Sequence, residues 1–183
     1  IKPLLSALLM FDQRLRQRTV DLLDRLHWHP DLSRHAAIYW IVKNRWEMCP
    51  GIGSLAVDPL VETLKKGGLL DRRGAARALG HIGKAAVPAL LELLQDADDR
   101  VRQAAAETLE IAGWQPPEDE TGAWFWAALQ DWNQCTQLGI TAVRPLFFLL
   151  QDTSEEIRQS ATWVLGKIGM TLDEAETLSA ERF

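Results

Sequence analysis

Apolar residues recur along the chain at intervals of three and four, in pairs of stretches separated by a polar loop. One such pair is Val87, Leu90, Leu91 and Leu94, followed by Val101, Ala105, Leu109 and Ala112. Each stretch has the period of an amphipathic helix, so the pair predicts a helical hairpin. Prolines stand in the first turn of the first helices (Pro3, Pro59, Pro88, Pro145), where a missing N–H costs no hydrogen bond. Glycines at Gly83, Gly113 and Gly169 are expected to close the second helices. Thr153 and Glu156 have the spacing of a capping box at the start of a second helix. Ala75, Ala76, Ala78, Ala104, Ala105, Ala106 and Ala161 are small enough to let neighbouring helices approach closely. A lone hairpin cannot bury both its faces, so stability has to come from stacking.

The hairpins repeat. A shift of 30 residues lays Ile52, Gly53 and Val57 on Ile82, Gly83 and Val87, and brings Leu60 onto Leu90, Arg72 onto Arg102, Ala75 onto Ala105 and Leu79 onto Leu109. A shift of 86 matches rarer residues without a gap: Trp28 with Trp114, Pro30 with Pro116, Trp40 with Trp126, Trp46 with Trp132, Cys49 with Cys135 and Gly53 with Gly139. It continues through Pro59 and Pro145, Arg72 and Arg158, and Leu79 and Leu165. The expected architecture is therefore all-α, a right-handed α-solenoid of stacked helical hairpins with an 86-residue superunit of three hairpins.

Within the superunit the third hairpin is shorter and rich in tryptophan. Its first helix is expected over 31–42 and 118–129, and its second over 44–51 and 131–137. The expected hairpins are about 1–28, 29–52, 53–83, 84–114, 115–138 and 139–169, one solenoid over 1–170. Residues 171–183 break the repeat, and Thr171 with Glu174 suggests a separate polar capping helix or linker there. Ile1 shares the register of Val57, Val87 and Val143, inside the first turn of a hairpin, so a piece covalently part of a longer chain is expected.

The pattern Ile-Gly-x-x-Ala-Val-x-x-Leu, followed by Val/Ile-Arg-x-x-Ala-x-x-x-Leu-Gly-x-Ile-Gly, resembles the HEAT-like repeats of the phycobilin-lyase type. The resemblance reaches nearly to Gly169. It implies the solenoid fold, and functions as different as chromophore lyases, regulatory subunits, scaffolds and sensor segments. In such repeats an aspartate faces the second-helix arginine, as Asp96 would with Arg102 and Asp152 with Arg158. Lys66 takes the aspartate's place before Arg72, in the loop Lys65-Lys66-Gly67-Gly68.

Composition narrows the partners. The 183 residues are 47% hydrophobic and carry a formal charge of -5, which fits a folded chain and disfavours nucleic acid, whose phosphates are held by clustered cations. Two cysteines without close spacing do not form a disulfide framework, and no apolar run is long enough to span a membrane. A cytoplasmic location is the expectation.

Candidate chemistry is sparse. His27, His29 and His35 lie close in sequence with Asp31, a set that could hold a transition metal, but the matching copy carries Gly113, Gln115 and Thr121. Cys49 and Cys135 recur beside a tryptophan, as core packing requires and catalysis does not. Glu107 and Glu110 share a helix face, as solvated charges on repeats routinely do. No catalytic residue, metal or cofactor is assigned, and an enzyme is not expected. Most tryptophans read as wedges of the short hairpins, and Trp124, matching Ile38, as buried. Trp163 matches Arg77 and Glu107, positions facing outward, and is a candidate contact residue or an anchor for the C-terminal segment.

Second helices of such solenoids line a concave surface. Projected onto it, after Gln17, Asp21 and Asp24, are Arg73, Arg77, Gln103, Glu107, Glu110, Gln159 and Trp163. The alternating charge suits a protein or peptide, or a small ligand, and Arg73 with Arg77 could clamp a carboxylate or phosphate. The favoured function is a non-catalytic interaction or ligand-sensing scaffold segment. The alternatives are a phycobilin-lyase-like chromophore handler and an enzyme using the histidine cluster as a metal site.

Overall fold

The computed structural model describes residues 1–10 and 12–180, with side chains as far as Gly169. Among the described residues there is no strand. The helices are α1 (Lys2–Leu8), α2 (Gln13–Arg25), α3 (Arg34–Val42), α4 (Val57–Lys66), α5 (Leu69–Ile82), α6 (Val87–Leu93), α7 (Asp99–Ile111), α8 (Glu120–Ala128), α9 (Trp132–Leu138), α10 (Val143–Leu149) and α11 (Glu155–Ala180). The chain forms two compact units, the first of Ile1–Leu90 with Glu107–Trp114, the second of Leu91–Ala106 with the chain from Gln115 onward.

In the first unit α1 packs on α2 and α4 on α5, the two hairpins being joined through α3. Leu8, Val20, Leu23, Ile38 and Tyr39 form one buried cluster, covered by the half-buried rings of Trp28 and Trp40. In the second unit α10 packs on α11 and α8 on α9. Their core gathers Ala123, Ala127, Cys135, Leu146, Leu149, Ile157, Ala161, Val164 and Ile168, with Trp126 and Trp132 against it. The tryptophans thus cap the cores from the side, and Trp124 is buried at the position of Ile38, as the repeat requires.

Helix starts follow the side-chain caps. The short hairpins begin at Arg34 and Glu120, later than the apolar pattern suggests, because Ser33 accepts a hydrogen bond from the Ala36 N–H and Asp119 from those of Thr121 and Gly122. Likewise α11 starts at Glu155: Ser154 Oγ accepts from the Ile157 N–H, and Thr153 does not cap the helix as its capping-box spacing predicts. The expected stop at Gly169 is absent, since α11 continues to Ala180. The capping box expected at Thr171 and Glu174 concerns side chains outside those described, and residues 181–183 lie outside the described residues altogether.

The two copies of the short hairpin differ. The second helix is a true α-helix only in the later copy, α9, where Asp131 caps the Gln134 N–H. The earlier copy is instead two 3-10 turns, Trp46–Met48 and Pro50–Ala56. Arg45 stands where Asp131 stands and cannot accept from the backbone, and Pro50 replaces Thr136 and removes a donor from the helix interior.

The second-helix arginines act on the backbone rather than on the aspartates of their own loops. Arg72 donates to the carbonyls of Gly67 (2.9 Å) and Lys65 (3.1 Å), Arg102 to those of Asp96 (2.7 Å) and Ala97 (3.1 Å), and Arg158 to those of Asp152 (2.7 Å) and Thr153 (3.0 Å). Arg16 does the same at Leu8 (2.9 Å). Each guanidinium satisfies carbonyls that the end of the first helix or its loop leaves without an intrahelical partner, at about 1.5–3 kcal/mol per charged bond. The lysine at position 66 is therefore tolerated: the Arg72 clamp needs carbonyls, not an aspartate.

The 86-residue period is visible in the backbone as left-handed positions: His27 (φ 51) with Gly113 (φ 73), Asn44 (φ 56) with Gln130 (φ 58), and Gly53 (φ 73) with Gly139 (φ 59). His27 thus occupies a helix-terminating position that glycine fills in the other copy. His27→Gly should raise the stability of the first unit by about 0.5–1 kcal/mol, read from the midpoint of urea unfolding. No change, or a loss, would mean that the imidazole makes a contact that offsets its backbone cost.

Candidate functional site

The exposed edge of α5 is set by its own periodicity. Gly74, Ala75, Ala78, Leu79 and Gly80 are buried, which turns Arg73, Arg77 and His81, one turn apart, outward. Neither Arg73 nor Arg77 has an ion pair or side-chain hydrogen bond among the described residues. His81 Nδ1 donates to the Arg77 carbonyl at 2.6 Å, because a carbonyl can only accept, and this leaves Nε2 facing away from the helix backbone.

Trp46, from the 3-10 turn of the short hairpin, lies on α5 at Gly74. A Cβ at that glycine would meet the indole at 2.3–2.5 Å. The equivalent residues are Ala104 and Ser160, so of the three positions only this one lacks a side chain. Beside the indole, where it rests on α5, is a cavity of about 340 Å³, lined by Trp46, Glu47, Pro50, Gly74, Arg77, Ala78 and His81. Glu47 at its margin is already bonded to Arg45 (2.6 Å), which holds its carboxyl below the usual range. Trp46 also bounds a second, polar depression of about 310 Å³ whose walls include Gln17, Arg16 and Lys66. There Arg16 pairs with Glu62 at 3.3 Å.

All seven residues projected onto the second-helix surface are exposed. In the first unit these are Arg73, Arg77, Glu107 and Glu110, and of the seven only Arg77 lines the cavity beside Trp46. In the second unit Gln103 is exposed, Gln159 donates to Glu155 at 3.0 Å, and Trp163 is 56% exposed with the Lys167 ammonium 5.6 Å from its ring centre. Asp24, projected alongside them, is tied up with the next hairpin: it accepts from Tyr39 and from Lys43 (2.6 Å), bonds that hold its carboxyl low and the Lys43 ammonium high. Sequence reasoning missed Trp46, Pro50 and His81 as site residues. The available signals were Gly74 among alanine and serine equivalents, and Pro50 where the other copy has threonine.

Among the described residues no group of three or more His, Cys, Asp or Glu side chains is arranged to hold a metal, so His27, His29 and His35 are not brought together. Cys49 and Cys135 are fully buried. Burial, with Glu47 near one and Asp131 near the other, pushes their thiols up to about 11 and about 12. The folded protein should leave iodoacetamide unreacted at pH 8, with both thiols alkylated only after unfolding. Because these thiols hold their protons more tightly when folded, their contribution to stability is lost as pH rises past about 9, where the unfolded thiols ionise. Rapid alkylation of the native chain would contradict the burial.

The family of HEAT repeats matches the chain over residues 19–110 and, overlapping, 57–133. Among curated proteins the chain is similar to the phycocyanobilin lyase subunit alpha of Nostoc sp. (strain PCC 7120 / SAG 25.82 / UTEX 2576), 40% identical over 85 residues, which are 44% of this chain and 31% of the relative. It is likewise similar to the phycocyanobilin lyase subunit alpha of Picosynechococcus sp. (strain ATCC 27264 / PCC 7002 / PR-6), 39% identical over 84 residues, again 44% of this chain and 31% of the relative. The matched region spans about a third of the length of these relatives. No solved structure matches. Among the described residues no helix is long and apolar enough to cross a membrane.

Proposed function

The chain belongs to the family of HEAT repeats, and from that premise we propose that it is a non-catalytic recognition module binding a protein or peptide on the exposed face of its second helices. The observation that carries this reading is the edge of α5, where Arg73 and Arg77 stand in solvent without ion-pair partners among the described residues, beside a largely apolar cavity. Exposed cations without an ion pair of their own can meet a partner's carboxylates without breaking an existing bond. The test is selection of peptides from a random display library on the immobilised chain. Specific peptides should be enriched, and should be lost on the double variant Arg73→Glu/Arg77→Glu, whose fold is preserved because both side chains are exposed. Equal enrichment on both proteins, or none on either, would contradict the reading.

A second reading is chromophore handling, favoured by relatives that are named phycocyanobilin lyase subunits. Adding phycocyanobilin and recording the absorbance spectrum separates the two. A shifted spectrum would support chromophore handling, and an unchanged one the recognition of a polypeptide.

A further inference from the structure

We propose that the cavity beside Trp46 on α5 is the anchor site for one aromatic side chain of an acidic peptide, with the order acidic, any, acidic, any, aromatic. This rests on the reading of the second-helix face as a recognition surface, and specifies its ligand in the first unit.

The lining decides the kind of group that enters. The indole of Trp46, the ring of Pro50 and the Ala78 methyl offer apolar surface, and the carboxylate in the lining, Glu47, is bonded to Arg45. A volume of about 340 Å³ is at the low end of the roughly 300–1,000 Å³ of small-molecule sites, so it suits a single ring rather than an extended cofactor. The walls then favour an aromatic ring over an aliphatic group. The Trp46 indole lines the cavity as a ring partner, and the Arg77 guanidinium in the same lining offers a cation to a π-system.

The charge beside the cavity decides what surrounds that ring. Arg73, Arg77 and His81 are four residues apart, hence about 6 Å per step along the helix. An extended peptide advances about 3.3 Å per residue, so alternate side chains on one side are spaced about 6.6 Å. The two spacings agree over three positions. Carboxylates at the first and third residues therefore reach Arg73 and Arg77, and the fifth residue arrives at the His81 end of the cavity. The Glu47 carboxylate in the lining is already neutralised by its bond to Arg45 at 2.6 Å. A basic peptide would meet two unpaired guanidinium groups, and a neutral one would leave them unused.

The experiment uses the whole chain and fluorescein-labelled peptides read by fluorescence anisotropy: Glu-Ser-Glu-Ser-Phe, the same with alanine for phenylalanine, and Lys-Ser-Lys-Ser-Phe. The first should bind, the alanine peptide at least tenfold more weakly, and the lysine peptide not detectably. Arg77→Glu and His81→Glu, both at exposed positions, should each weaken the first peptide at least tenfold, while Glu110→Lys, outside the cavity, should leave it within twofold. Circular dichroism establishes that each variant is folded. Equal binding of the phenylalanine and alanine peptides, indifference to Arg77→Glu, or no binding of the first peptide up to about 1 mM would overturn the proposal. Display-selected peptides that are lost on Arg73→Glu but respond to neither Arg77→Glu nor His81→Glu would overturn it while leaving the recognition reading standing.

Discussion

Asp152→Ala should destabilise the second compact unit by about 3–5 kcal/mol, enough to remove a large part of the stability of a domain this size. Asp152 is buried and pairs with Arg102, whose side chain is 3% exposed. Both carboxylate oxygens and both terminal guanidinium nitrogens are hydrogen-bonded. One carboxylate oxygen takes the Arg102 guanidinium and the other the Ser154 N–H at 2.8 Å, while Arg102 also holds the carbonyls of Asp96 and Ala97. The guanidinium lies 5.9 Å from the ring centre of Phe148. Removing the carboxylate strands a cation in a site sealed from water, and that desolvation, rather than the lost attraction, makes up most of the cost. Arg102→Met should be of similar size, since it strands the anion. The double variant Arg102→Met/Asp152→Leu should cost less than the sum of the singles by at least about 2 kcal/mol, measured by urea unfolding. Additive losses would show that the two charges are not each other's main partner.

Gly122→Ala should cost about 3 kcal/mol, at the upper end for an overpacked site. A methyl there would lie 1.8 Å from the Pro117 carbonyl oxygen and 3.0 Å from its carbon, and backbone cannot swing aside as a side-chain tip can. The repeat supplies its own control. The equivalent residue in α3 is Ala36, fully buried and following a loop that has Asp31 where the later copy has Pro117. Ala36→Gly should lose only about 1 kcal/mol, the ordinary price of glycine in a helix. A Gly122→Ala variant as stable as the parent would mean that the Pro117 loop is free to move away.

The hairpins were legible because burial imposes a period on the sequence: Leu60, Leu90 and Leu146, all fully buried, are the same position read three times. Gly53 and Gly139 announced their positive-φ turns, while His27 and Asn44 also take positive φ without glycine and so left no mark. The arginine clamp was half visible. Arg72, Arg102 and Arg158 stood out by their spacing, but their targets are main-chain carbonyls, which every residue has and no sequence displays. The candidate face was legible as an outward register, since Arg73, Arg77 and Trp163 are indeed exposed. The cavity was not, because it comes from Pro50 and the lost cap at Arg45 turning a helix into 3-10 turns and setting Trp46 down on Gly74. A pairwise match of Trp46 with Trp132 reports that both are large and aromatic, not which neighbour each one meets.

The most direct test of the second-helix face as a recognition surface is to titrate the ¹⁵N-labelled chain with a display-selected peptide and map the amide and indole shifts. The expected result is a contiguous set over Arg73–His81 with the Trp46 indole. Shifts confined to the first helices α4 and α10, with α5 and Trp46 unmoved, would contradict it.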